Sequence, residues 1–135
     1  MIVVDTNIVV YLLLTGEHTE AARGVLQRNA LWAAPLLWRS ELRNVLSRYV
    51  RQHHLELLDA LVMQRTAEEL FAGREYAVDS SQVLEAASIS GCAAYDCEFV
   101  TLARALGVAL VTSDKQVLVA FPDIAVSPSQ FVTGN

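Results

Sequence analysis

The stretch Ile2-Val3-Val4-Asp5-Thr6-Asn7 decides the fold. Its three β-branched residues predict a buried strand, and Asp5 marks the C-terminal end of that strand. Residues 8–14 continue as an apolar segment that is predicted to be helical. In open parallel sheets, ligand sites lie beyond the carboxyl ends of the strands, although an Asp at that place can also simply cap the following helix. The position of Asp5 becomes informative only if other acids converge on it.

Strands and helices alternate along the rest of the chain. After the first strand, the predicted helices are 8–14, 17–28, 36–52, 55–72, 80–90, 95–106 and 114–120, and the predicted strands are 31–34, 76–78, 108–112 and 124–126, with a tail at 128–135. No Asn-Gly or Asp-Gly hairpin turn joins two strands. This order predicts an α/β fold with a small, mostly parallel sheet of four or five strands flanked by helices, in a single domain that covers residues 1–135.

Composition excludes several classes of protein. Of the 135 residues, 53% are hydrophobic and 19% are charged, which is typical of a packed globular domain. The net charge of −5 lacks the basic excess of a non-specific duplex binder, so any role with nucleic acid requires a local basic face or a metal. Apolar runs end well before the roughly 20 residues of a membrane span, and the N-terminus lacks a signal-peptide pattern. We therefore expect a cytoplasmic protein without membrane contact.

Two of the fifteen acidic residues follow the strands that are expected to be central in the sheet. Asp5 ends the first strand, and Asp114 comes after the apolar run 108–112. If the two strands are parallel, both carboxylates emerge at the same edge of the sheet. The alternative for each residue is a helix N-cap, in which the carboxylate accepts hydrogen bonds from the first turn.

Two further acids lie on apolar helix faces. Glu41 comes three residues after Trp38 and four before Val45, on or beside the apolar stripe of its helix. Asp96 begins the apolar stripe of a later helix. Because a buried carboxylate is unfavourable unless it is paired, the alternatives are an ion pair of Glu41 with a neighbouring Arg and a helix-dipole interaction of Asp96. Glu98 is either a surface acid or an outer member of the same group.

Convergence of these carboxylates would have a chemical consequence. Two like charges about 4 Å apart repel by roughly 4 kcal/mol at an effective dielectric constant of 20, so the group must take up protons or bind a cation. Oxygen ligands without Cys or His favour Mg²⁺ or Mn²⁺ over zinc. Such a site suits phosphoryl chemistry, in which the metal binds phosphate oxygens and activates a water molecule.

Three blocks of the sequence resemble the PIN-domain ribonucleases, and in particular the short VapC-type toxins of bacterial and archaeal toxin–antitoxin pairs. The blocks are Ile2-Val3-Val4-Asp5-Thr6-Asn7, Trp38-Arg39-Ser40-Glu41-Leu42, and the segment from Tyr95 to Ala103 that leads on to Leu110-Val111-Thr112-Ser113-Asp114-Lys115. The third block is the most specific, because both of its acids fall at the spacing of the family. The resemblance covers nearly the whole chain.

The resemblance implies a PIN-like three-layer fold and a Mg²⁺- or Mn²⁺-dependent endoribonuclease. It implies a metal-binding, catalytic quartet that consists of Asp5, Glu41, Asp96 and Asp114. Asn7 and Thr112 would support this site. It also implies an RNA substrate, a protein antitoxin that blocks the site, and a homodimer.

The nearest basic residues are candidates for contacts with RNA phosphates. They are Arg39, Arg43 and Lys115. The alternative is that they are surface charges or partners of the acids.

Two other functions are compatible with a small α/β domain that has an acidic pocket. One is a phosphoacceptor domain similar to the receivers of response regulators. Against it, the first strand ends in a single Asp rather than a pair, and no middle strand ends in a phosphorylatable Asp. The other is a catalytically inactive PIN scaffold that binds RNA or a partner.

Overall fold

The computed structural model describes residues 1–134, so Asn135, the end of the predicted tail and domain, lies outside the described residues. Strands and helices alternate as the sequence predicts. The strands are β1 (Ile2–Val4), β2 (Trp32–Pro35), β3 (Glu75–Tyr76), β4 (Leu110–Val111) and β5 (Ala125–Val126). The helices are α1 (Thr6–Leu13), α2 (Thr19–Arg28), α3 (Leu37–Arg51), α4 (Leu57–Leu70), α5 (Ser80–Ser90), α6 (Ala94–Leu106), α7 (Lys115–Ala120) and α8 (Pro128–Thr133).

The five strands form one parallel sheet in the order β3-β2-β1-β4-β5. The predicted α/β class with a mostly parallel sheet is therefore confirmed. Receivers and flavodoxin-like domains have the order 2-1-3-4-5, so the receiver alternative is wrong. β1 is the central strand and pairs with β4 in the register Val3 to Leu110, which brings the C-terminal ends of these two strands to the same edge.

Large aromatic side chains of the core meet where α3 packs against β2 and α4. Trp38 is fully buried, and its ring centroid lies 4.4 Å from that of Phe71. Leu42 and Leu46 continue the buried stripe of α3. Burial of aromatic and aliphatic side chains at this spacing fixes the roll of α3 about its axis. Because the roll is fixed, the residues of α3 next to the buried stripe face the C-terminal edge of β1.

The predicted tail is wrong, because residues 128–133 form α8. Ser127 caps this helix in a reciprocal arrangement with Gln130, and Pro128 occupies the first helical position. The guanidinium of Arg28, at the end of α2, lies 5.7 Å from the centroid of the Phe131 ring. α8 thus packs on α2 and closes the side of the fold at β5. Within residues 1–134, no helix is long and apolar enough to cross a lipid bilayer.

Candidate metal centre

Asp5 lies at the junction between β1 and α1. Its Oδ1 accepts a hydrogen bond of 2.7 Å from the backbone N–H of Thr6, and its Oδ2 accepts one of 2.7 Å from the hydroxyl of Thr112. The residue is 9% exposed. Asp5 therefore does cap α1, yet its carboxylate also occupies the carboxyl edge of the central strand, where a ligand site is expected.

Glu41 approaches Asp5 from α3. Its Oε1 accepts a hydrogen bond of 2.7 Å from the hydroxyl of Thr6, so Thr6 contacts both acids. Among residues 1–134, Glu41 forms no ion pair with an Arg, which removes the alternative considered for it. The other carboxylate oxygen of Glu41 makes no hydrogen bond to the described part of the chain.

Asp114 follows β4 and caps α7. Its Oδ1 accepts hydrogen bonds of 2.9 and 3.2 Å from the backbone N–H groups of Gln116 and Val117. Its Oδ2 has no hydrogen-bond partner in the described part of the chain. Asp114 is thus also both an N-cap and an acid at the sheet edge. The capping bonds fix the side chain and leave one oxygen available.

Asp96 completes the group from the first turn of α6. Together with the three other acids it lines a single open pocket of about 360 Å³ at the C-terminal edge of β1 and β4. The structure therefore brings together the four carboxylates that the sequence predicts to converge. The remaining lining residues are Thr6, Asn7, Val10, Tyr11, Val45, Arg48 and Tyr49.

The electrostatics of the pocket reflect this convergence. Burial, followed by the charges of Glu41 and Asp96, raises the pKa of Asp5 to about 7, although the hydrogen bond from Thr112 opposes the shift. Burial and the charges of Asp96 and Glu98 raise the pKa of Glu41. Burial and the charge of Asp114 raise the pKa of Asp96. The charges of Glu41, Asp96 and Asp114 therefore each make ionisation of a neighbouring acid less favourable, as expected for like charges that share a site.

The donor set fits a hard divalent cation. It consists of carboxylate oxygens, to which Asn7 adds a side-chain Oδ1 that is buried and has no hydrogen-bond partner in the described residues. A buried acceptor without a donor is unfavourable, and a cation or its bound water would satisfy it. Over residues 1–134, no three Asp, Glu, His or Cys side chains lie close enough together to hold a metal ion by themselves. An open arrangement suits Mg²⁺, which keeps several water ligands and binds through few carboxylates.

None of the three predicted phosphate contacts lines this pocket. The guanidinium of Arg39 binds Glu75 at 2.6 and 2.7 Å and Glu68 at 3.2 Å. Arg39 is therefore an ion-pair partner of acidic residues, which was the alternative to a phosphate contact. Arg43 lines a separate apolar groove between α3 and α4. Lys115 follows Asp114 as the first residue of α7 but does not line the pocket.

The cation that does line the pocket is Arg48, which sequence reasoning missed. Arg48 is exposed and forms no ion pair with any described residue. A signal was present in the sequence, because Val45, Arg48 and Tyr49 lie four, seven and eight residues after Glu41 and therefore share its helix face. Tyr11 is a further wall of the pocket, and its hydroxyl lies 3.1 Å from Ser113 Oγ.

Comparisons with known proteins agree with this fold. The sequence profile of the PIN domain family matches residues 2–125, whereas no curated protein matches the chain. The fold is similar to that of PAE2754 from Pyrobaculum aerophilum, with a TM-score of 0.78, 19% identity, and coverage of 98% of this chain and 94% of that one.

Two further solved structures have the same fold. One is a toxin–antitoxin complex from Klebsiella pneumoniae, with a TM-score of 0.69, 17% identity, and coverage of 95% of this chain and 98% of that one. The other is VapBC2 from Rickettsia felis bound to a DNA fragment from their promoter, with a TM-score of 0.60, 18% identity, and coverage of 94% and 98%. At identities this low, the likeness concerns the fold.

Proposed function

The chain belongs to the PIN domain family, and from this premise we propose that it is a Mg²⁺- or Mn²⁺-dependent endoribonuclease. The observation that carries the proposal is the convergence of Asp5, Glu41, Asp96 and Asp114 on one pocket. A cation held by these carboxylates supplies charge neutralisation at a phosphodiester and a water of lowered pKa. The side chains of the pocket would hold this cation, orient the water molecule and bind the substrate.

Each acid has a separate role in this proposal. Asp5 is the central ligand, because Thr6 and Thr112 fix both of its oxygens and each oxygen keeps a lone pair that can face the pocket. Asp96 and Asp114 complete the ligand set. Glu41 either binds the metal or orients the attacking water, and its raised pKa makes it a better proton acceptor than an ordinary Glu. Asn7 supports the site through its unpartnered oxygen.

The substrate requires positive charge close to the acids. Arg48 supplies it at the rim of the pocket, and its guanidinium can bind a phosphate through two parallel hydrogen bonds. Lys115 is the other candidate, since it adjoins Asp114. In an acidic chain, these local charges replace the basic surface on which most nucleic-acid binders rely.

We further propose that the enzyme is the toxin of a toxin–antitoxin pair. The Klebsiella structure is named as a toxin–antitoxin complex, and the Rickettsia structure holds VapBC2 on promoter DNA. The partner of this chain would then be a cognate antitoxin that covers the acidic pocket. A homodimer and a cytoplasmic location belong to the same proposal.

Metal-dependent RNA cleavage tests the proposal. The purified protein should cleave single-stranded RNA with Mg²⁺ or Mn²⁺, and the activity should disappear with EDTA and in Asp5→Asn and Asp96→Asn. Asp59→Asn, an exposed acid on α4, is the matched control and should remain active. Cleavage that persists in Asp5→Asn would overturn the assignment. Calorimetry that detects no Mg²⁺ or Mn²⁺ binding near pH 7 would support the inactive scaffold instead.

A further inference from the structure

A second cavity lies at the same C-terminal edge of the sheet as the acidic pocket, next to the ends of β2 and β3. It has a volume of about 430 Å³ and lies between β3, the start of α5 and α6. Glu98 lies between the two sites, because it lines the cavity and its charge acts on Glu41 in the acidic pocket. The residues that matter for its chemistry are Leu36, Tyr76, Val78, Ser80, Leu84 and Glu98.

The lining has the composition of a ligand site. Small-molecule sites are mostly apolar and contain a few polar groups that fix orientation. Here Leu36 and Leu84 are 53% and 65% exposed and form apolar walls at the cavity mouth. Tyr76 offers an aromatic ring, and Glu98 is the only charged residue that lines the cavity within the described chain. The Glu98 carboxylate makes no hydrogen bond or ion pair with residues 1–134, so its acceptor oxygens are available.

We propose that this cavity holds the nucleobase next to the cleaved phosphate, and that Glu98 selects guanine. The inference rests on the proposed function, because the acidic pocket fixes the position of the phosphate. Unpaired bases in RNA are recognised by stacking on aromatic rings and by hydrogen bonds to their Watson–Crick edges. Tyr76 supplies the stacking surface, and Glu98 supplies the hydrogen bonds.

The choice of guanine follows from the donors that each base presents. An ionised carboxylate only accepts hydrogen bonds. Guanine presents two adjacent donors, N1–H and the 2-amino group, which match the two carboxylate oxygens. Adenine and cytosine each place a ring acceptor beside their amino group, and uracil places carbonyl oxygens on both sides of its single N–H. Only guanine therefore satisfies both oxygens of Glu98 without repulsion.

Mononucleotide binding tests the inference without any cleavage. Saturation-transfer NMR would measure the binding of GMP, AMP, CMP and UMP in Mg²⁺ and again in EDTA. We expect GMP to bind roughly tenfold more tightly than UMP, as for a bidentate contact to a base. Glu98→Gln, which is isosteric but presents a donor, should abolish this preference. The control is Glu85→Gln on α5, since Glu85 lines a different cavity.

RNA cleavage provides a second test of the base preference. The wild-type protein should cut a random single-stranded RNA pool next to guanine, and Glu98→Gln should lose that preference, whereas the Glu85→Gln control should keep it. Equal binding of the four mononucleotides, or a preference that survives in both Glu98→Gln and Glu98→Ala, would overturn the base assignment. Cleavage without base preference would leave the nuclease proposal intact, whereas selective GMP binding without any RNA cleavage would count against the nuclease alone.

Discussion

The hydroxyl of Thr112 donates a hydrogen bond of 2.7 Å to Oδ2 of Asp5. The same hydroxyl oxygen accepts a hydrogen bond of 3.1 Å from the backbone N–H of Asp114. Thr112 is fully buried, so this single side chain joins the ends of β1 and β4 inside the protein. The relative position of the two strand-end acids depends on it.

Replacing Thr112 by Val should therefore weaken the site and the fold together. The substitution keeps the shape but leaves Asp5 and the Asp114 amide without a buried partner, which costs about 1–3 kcal/mol of unfolding free energy. Loss of a group that supports a metal ligand typically lowers metal affinity by roughly 10–100-fold. Urea unfolding and calorimetry with Mn²⁺ measure the two effects. Thr112→Ser retains the hydroxyl and is the control, and equal Mn²⁺ affinity in the Val and Ser variants would contradict this role.

The raised pKa of Asp5 makes the metal-free protein less stable as the pH rises. The folded-state pKa is about 7 and the ordinary value is 3.8, so between these values the folded chain holds a proton that the unfolded chain has released. Unfolding free energy therefore falls with increasing pH over this window, by at most roughly 4 kcal/mol, and stays low above it. The raised pKa values of Glu41 and Asp96 act in the same direction.

Thermal unfolding with EDTA at about pH 5 and about pH 8 checks this sign. The wild-type protein should melt at a lower temperature at the higher pH, and Asp5→Asn should show a smaller difference. Addition of Mn²⁺ at the higher pH should raise the melting temperature, since the cation favours the ionised carboxylates and binds only the folded state. A wild-type melting temperature that rises between these two pH values with EDTA would refute the prediction.

The sequence predicts the sheet and its acids well because their signals are local. Apolar strands, the helix that follows each strand, and an acid at the junction can all be recognised within a few residues. The signal for α8 was local too, since Ser127, Pro128 and Gln130 form a capping box with proline at the first helical position. Ser and Pro are also common in loops, so these residues alone do not distinguish a six-residue terminal helix from a tail.

The contacts of the arginines on α3 could not be predicted in the same way. Arg39 turns away from the acids because Glu75 lies within reach, and Glu75 belongs to a two-residue edge strand whose pairing is set by long-range contacts. Arg48 reaches the pocket because the burial of Trp38 fixes the roll of α3. Residue spacing indicates which side chains share a face, but only the packed core determines where that face points.

Arg48 should make a measurable contribution to RNA binding. If its guanidinium contacts one phosphate, Arg48→Gln should weaken the binding of all single-stranded RNAs and reduce the slope of log affinity against log salt by about 1. Fluorescence anisotropy with labelled RNA and Ca²⁺ in place of Mg²⁺ measures this, with gel analysis to verify that the RNA stays intact. Arg51→Gln on the same helix is the control, because Arg51 bonds to Ser47 outside the pocket. Equal salt slopes in the two variants would exclude the contact.

The Arg39–Glu75 pair should stabilise the fold without affecting the site. Glu75 is 13% exposed and accepts two hydrogen bonds from Arg39 and one of 2.8 Å from Trp38, so Arg39→Gln should lower the unfolding free energy by roughly 1–3 kcal/mol. Hydrogen bonding by Arg39 lowers the pKa of Glu75, so this stabilisation is present above the ordinary pKa and is lost as the pH falls through the lowered value.

The unfolding free energies of the wild type and Arg39→Gln, measured with urea, should therefore differ at neutral pH and converge in acid. In the Arg39→Gln/Glu75→Gln double variant, the loss of unfolding free energy should be smaller than the sum of the losses in the two single variants. Mn²⁺ affinity should stay unchanged in Arg39→Gln, because Arg39 does not line the acidic pocket. A loss of Mn²⁺ affinity in this variant, without a loss of stability, would contradict this prediction. It would mean that Arg39 contributes to the acidic pocket despite its contacts with Glu75.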